Sequence, residues 1–304
     1  MRELLGLGVR TVSRYLGTLI SVFLVQSVIA AVCMLGVAVV LANTFSHLPM
    51  FDDAVDGDLV ALIWCLQHGR PSMLATAALV FGVLVLWQAT SWFLAGGLYG
   101  VIAARPEGRN DTARCFGATG ANSYFAYARL ALCALPGWTV VVFVLGIGLG
   151  MVAPRLENAL TVFELVGPLS LAMLPALVIL HVLWTVCDYA RVELTLRYDT
   201  HRPGAVVTYV RALGFVLRRP ITLVHGGIGW VVFALITTAY TYLAHGHAMY
   251  GAGGAVTLFM VRQGVSLLRM TVRMVIMAGQ VHLGEQRPLP PVPVTLERGH
   301  DQAS

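Results

Sequence analysis

Lysine is absent from this chain, and all 20 basic residues are arginine. That bias reads as the signature of a GC-rich genome rather than as a functional demand. Charge of either sign is scarce. Charged residues make up 12% of the chain, against about 25% in an ordinary soluble domain, so a soluble globular composition is excluded. No polar block is long enough for a soluble domain of about 100 residues or more, so one membrane domain accounts for nearly everything. The five cysteines, Cys33, Cys65, Cys115, Cys133 and Cys187, show no C-x-x-C spacing, which argues against a disulfide framework and a metal site. There is no H-E-x-x-H, and G-I-G-L-G at 146–150 lies in an apolar run with no G-K-[ST] after it, so it is no phosphate loop. No nucleophile, base and oxyanion donor can be assembled from neighbouring residues. The chain is read as non-enzymatic, with no cofactor and no metal.

What the chain has instead is apolar length. Hydrophobic residues make up 58%, and six segments satisfy the requirement of about 20 residues per crossing: 16–42, 73–101, 130–153, 165–188, 221–244 and 254–281. The first is too long for a signal-peptide core of about 7 to 15 residues and is read as a retained span. This predicts an all-α polytopic membrane bundle over 1–287, followed by a disordered Pro-rich tail over 288–304. The alternate loops hold only Arg70 and Arg155, while the N-terminus, the tail and the other connections carry nearly all the remaining arginines. The positive-inside rule then places both termini in the cytoplasm, across a bacterial inner membrane. The +5 net charge is a matter of orientation and not of nucleic-acid binding.

Amphipathic stretches flank the spans. The N-terminus sets Leu4, Leu5, Val9 and Val12 beside Arg10 and Arg14, and the connection 103–129 ends in Tyr124, Phe125, Tyr127 and Arg129. A third stretch sets Val206, Val210, Leu213 and Leu217 against Arg211, Arg218 and Arg219. Each is expected to be an elbow helix in the headgroup layer. The chain can accordingly be cut into three units of elbow, outward span and return span, over 1–108, 117–202 and 205–287. The outward loop 43–72 carries Asp52, Asp53, Asp56 and Asp58, read as solvated capping carboxylates, and then a short interfacial helix over 59–66.

The last span poses the chemical question, because it carries Arg262, Arg269 and Arg273 within roughly 40° of one another on a helical face. A central arginine costs about 2.5 to 3.5 kcal/mol on insertion scales, so the stripe is expected to face protein, trapped water or an anion. Counting depth at about 1.5 Å per residue brings Asp188 level with Arg273, and Glu164 nearest to Arg262. His181 lies on nearly the same face as Asp188, as a relay partner or as a histidine bonded to a neighbouring helix. The network is read as structural pairing or as an anion or lipid-phosphate site.

F-L-A-G-G-L-Y-G-V-I-A-A-R-P-E-G at 93–108, D-Y-A-R-V-E at 188–193 and R-A-L-G-F-V-L-R-R-P at 211–220, with the arginine-bearing last helix, resemble uncharacterised six-helix bacterial membrane proteins. These in turn are similar to the membrane domain attached to some glycerophosphodiester phosphodiesterases. The resemblance implies an inner-membrane helical bundle. The phosphodiesterase domain is absent, so its activity does not carry over. The expected partners are the bilayer, anionic phospholipid through the cytoplasmic arginines, and a membrane-protein partner or a second copy of the chain. The rival expectation is a small transporter subunit passing an anion along the face of the last helix.

Overall fold

The structure, a computed structural model, describes residues 2–45, 48–49, 53, 70–156, 162–197, 204–246, 252–287 and 289. Among these, eight helices and no strand are found: α1 Arg2–Arg14, α2 Leu16–Phe45, α3 Arg70–Ala104, α4 Arg109–Leu156, α5 Val162–Leu196, α6 Ala205–Arg218, α7 Pro220–Gly246 and α8 Ala252–Gln286. Six of them, α2, α3, α4, α5, α7 and α8, are long and apolar enough to cross a membrane. The chain is thus a multi-pass α-helical membrane protein. Its spans leave Leu24, Val28 and Leu35 on α2, Val142, Phe143 and Met151 on α4, and Val231 and Leu235 on α7 exposed. Lipid is the solvent that tolerates such a surface.

Two of the three expected elbows, α1 and α6, are separate helices, and Pro220 supplies the first residue of α7, where its missing N–H costs nothing. The middle elbow differs. Residues 109–129 are not a separate helix but the opening of α4, which runs unbroken for 48 residues. No strong breaker stands between Arg109 and Pro136, and at about 1.5 Å per residue such a helix is far longer than a ~30 Å hydrocarbon layer. Gly108, at φ 90°, makes the turn into it, a backbone region closed to most side chains.

Contacts divide the chain into two compact units, residues 20–94 and the remainder. Within 20–94 the described residues are mostly the apolar stretches of α2 and α3; the short helix expected over 59–66 and Asp52, Asp56 and Asp58 lie outside the described residues.

In the larger unit a regular pattern links elbows to return spans. α1 packs on α8 so closely that a Cβ on Gly8 would meet the Val275 carbonyl oxygen at 2.6 Å. Gly97 and Gly100 of α3 lie against Phe116 and Thr119 in the opening turns of α4. α6 lies on α5, where Tyr189 and Phe215 pack with ring centroids 5.2 Å apart. Each elbow thus rests on the return span of the unit before it, with the first resting on the last. Ala134, Val141, Ala176 and Leu183 form an apolar seam between α4 and α5.

Candidate functional site

The return spans α3, α5 and α8 also meet through polar side chains. Asp188 of α5 is 1% exposed and accepts from Arg273 Nη2 at 2.6 Å and Arg191 Nη1 at 3.3 Å on Oδ1, and from Gln280 Nε2 at 3.1 Å on Oδ2. Tyr99 of α3 donates its hydroxyl to Gln280 Oε1 at 3.2 Å. One residue from each return span therefore joins a single chain, Tyr99 to Gln280 to Asp188. A carboxylate is viable at such burial only when charge and hydrogen bonds surround it.

Five residues further along α5, Glu193 repeats the arrangement. It is buried and pairs with Arg197 at 2.8 Å, just past the end of α5, and with Arg211 of α6 at 3.5 Å. Each carboxylate of the 188–193 stretch thus takes one arginine within four residues of it and one from another helix.

α7 is tied in by two histidines. His181 of α5 donates Nε2–H to the Leu223 carbonyl at 3.0 Å, and the fully buried His225 donates to the Ile276 carbonyl of α8 at 3.2 Å. A carbonyl can only accept, which fixes the proton on each Nε2. Gly279 leaves room for the His225 ring, since a Cβ there would meet Nε2 at 2.5 Å. His181 takes no part in the hydrogen bonds of Asp188.

The arginines of α8 separate. Arg273 reaches Asp188, while Arg269 donates Nη2 to the Thr237 hydroxyl of α7 at 2.6 Å. Arg262 is exposed and its guanidinium bonds no described residue, so the expectation of one inward stripe is corrected. The helix turns this face progressively outward toward its start. The side chain of Glu164 lies outside the described residues.

Beside the network lies a cavity of about 160 Å³ between α5, α7 and α8. Trp184, Trp230 and Phe233 form its aromatic wall, and Asp188, Arg273 and Gln280 its polar end. Trp184 and Trp230 meet edge to face at 5.9 Å, and the Arg273 guanidinium lies 5.5 Å from the Trp184 ring centroid. Cation–π attraction of this kind holds the guanidinium against the aromatic wall.

The interfacial arginines also divide. Arg211, expected on the polar side of its elbow, is turned inward: it pairs with Glu193 and donates Nη2 to the Leu289 carbonyl at 2.9 Å. Burial pulls its pKa below the usual arginine value, against the pull of Glu193. Arg219 lies 4.5 Å from the Phe215 ring centroid, and Arg218 is exposed. Leu289, assigned by sequence to the disordered tail, is 5% exposed and held at the Arg211 and Glu193 cluster.

No protein-family model, curated protein or solved structure matches the chain. What the fold and the site define is a class, a multi-pass helical membrane protein with a buried ionic hub.

Proposed function

We propose that the protein is a non-enzymatic component of a bacterial inner membrane, with both termini cytoplasmic, that holds a singly charged anionic amphiphile in the Arg273 cavity. One observation carries the reading. Around Asp188 stand two guanidinium groups and one carboxylate, and the surplus positive charge borders a cavity walled by Trp184, Trp230 and Phe233. An unbalanced cation at membrane depth is costly, and a bound oxyanion with an apolar body offsets it through charge and burial together.

The arginine bias between alternate connections supports the orientation, and the resemblance to six-helix bacterial membrane proteins supports the location. Transport along the arginines of α8 has less support, because Arg262 and Arg269 do not line the cavity that Arg273 borders. The test is native mass spectrometry of the protein purified in mild detergent, wild type against Trp230→Ala. Wild type should retain an anionic amphiphile and the variant should lose most of it while keeping its helical content. An empty wild-type protein, or equal retention in the two, sinks the reading.

A further inference from the structure

A second cavity, of about 200 Å³, lies where α1, the end of α3 and the end of α8 meet. Ile102, Ala278 and Val281 give it an apolar base, and Arg10, Arg14 and Arg105 converge on it from two separate stretches of chain. Their partners leave charge over. Arg105 Nη2 bonds Glu285 at 2.6 Å, and Arg14 reaches Glu107 at 3.5 Å, where the carboxylate is 90% exposed and screened by solvent. The Arg10 guanidinium bonds no described residue. His282 also lines the wall, with its Nδ1 3.9 Å from the Glu285 carboxylate.

Arg105 stands in a conformation that the chain has reason to avoid. Its φ is +52°, in the left-handed region at the end of a helix, where glycine is the usual residue. It also precedes Pro106, and proline pushes the residue before it toward extended backbone. Tyr15 fixes the turn by donating its hydroxyl to the Pro106 carbonyl at 3.2 Å, and burial raises the Tyr15 pKa. A guanidinium thus stands at a position where the local backbone favours glycine.

We propose that this cavity binds the phosphate group of a net-anionic membrane lipid, its oxyanion held by Arg10, Arg14 and Arg105 and the root of its acyl chains seated on Ile102, Ala278 and Val281. Guanidinium forks match phosphate oxygens in pairs, and the apolar base distinguishes the site from a simple basic patch. α1 lies along α8 as an amphipathic elbow, which places the opening in the headgroup layer. The site shares no lining residue with the Arg273 cavity and stands independently of it.

The experiment is a titration of delipidated, detergent-solubilised full-length protein followed by native mass spectrometry. The probes are phosphatidic acid, phosphatidylcholine and inorganic phosphate. Arg105→Gly removes the guanidinium while relieving the backbone, so it should fold at least as well as wild type. Arg10→Gln is the second variant, and Arg218→Gln is the control outside both cavities. Phosphatidic acid should bind wild type and the control alike, and about tenfold more weakly to Arg105→Gly and Arg10→Gln, the loss expected for a charged hydrogen bond. Tight binding of inorganic phosphate with the same dependence on Arg105 would keep the oxyanion site and assign its ligand to a soluble phosphate. Equal binding of phosphatidylcholine, or unchanged binding of phosphatidic acid to both variants, overturns the proposal.

Discussion

Arg273 of α8 and Asp188 of α5, 85 residues apart in sequence, are joined Nη2 to Oδ1 at 2.6 Å, and the carboxylate they share with Arg191 and Gln280 is all but inaccessible. The pair joins two return spans at a depth where neither charge could stand alone. Gln280 of α8 bonds the other oxygen of the same carboxylate, so two polar contacts on Asp188 set the register between α5 and α8.

Removing one partner should therefore cost more than removing both. Asp188→Asn leaves Arg273 and Arg191 without their counter-ion and is expected to cost about 3 to 5 kcal/mol. Adding Arg273→Gln should recover part of that loss, because the buried charges are then less mismatched. Thermal unfolding in detergent, followed by circular dichroism across the two single variants and the double, measures the coupling. A strictly additive double variant would show that the pair does not act as a unit.

Gln280 offers a way to change the charge of the hub without removing an arginine. It is 1% exposed and lies between Tyr99 and Asp188. Gln280→Glu sets a second carboxylate against Asp188 Oδ2, where the pair shares one proton until the pH is raised; with both ionised they balance the two guanidinium groups, and the proposed anion should be released. Gln280→Leu leaves the surplus charge in place and strands the Tyr99 hydroxyl, at a cost of about 1 to 3 kcal/mol in stability. Retained amphiphile, read by native mass spectrometry alongside thermal unfolding, should fall in the glutamate variant as the pH is raised, without a comparable loss of helix. Full retention there would contradict the charge argument.

Much of this hub could be anticipated, because charge inside an apolar run is conspicuous and helical rise sets its depth. Counting residues along their spans brings Asp188 and Arg273 to depths similar enough for a pair. The same count misjudges Arg262, since it assumes a helix buried along its whole length, whereas α8 is buried mainly from Met274 onward. Tyr99, Gln280 and His225 escape notice for another reason. A neutral polar residue in a span gains meaning only from its partner, and these partners lie on other helices. Gln280, a single amide among apolar neighbours, was the one legible hint. Glu193, five residues after Asp188, lies past the apolar run of α5, where a charge is unremarkable in sequence. The continuity of α4 is hidden because Tyr124, Phe125, Tyr127 and Arg129 have the composition of a headgroup-layer elbow, while no proline separates them from the start of the span.

The Arg211 and Glu193 cluster reaches forward to Leu289, just past the end of α8. Arg211→Met keeps the length of the side chain but removes its bond to the Leu289 carbonyl and its ion pair. The segment after α8 should then be released, while the spans, held by their own packing, stay folded. Limited proteolysis should cut the C-terminal segment several-fold faster in the variant at unchanged helical content. Identical cleavage rates would mean that Arg211 does not hold the segment.

Three glycines, Gly146, Gly148 and Gly150, stand together in α4, and only the middle one touches a neighbour closely. A Cβ on Gly148 would meet the Ala172 carbonyl oxygen of α5 at 2.5 Å, while Gly146 and Gly150 face open space. Backbone cannot swing aside as a side chain can, so Gly148→Ala must part α4 from α5 along the seam that continues through Val141 and Ala176. The expected cost is about 1 to 3 kcal/mol, the range for overpacking. Gly146→Ala and Gly150→Ala should be neutral or stabilising by up to about 1 kcal/mol, since alanine is the better helix former and meets nothing. Parallel thermal unfolding of the three variants checks the contrast, and the same direction of change in all three would mean that close approach of α4 to α5 is not what Gly148 serves.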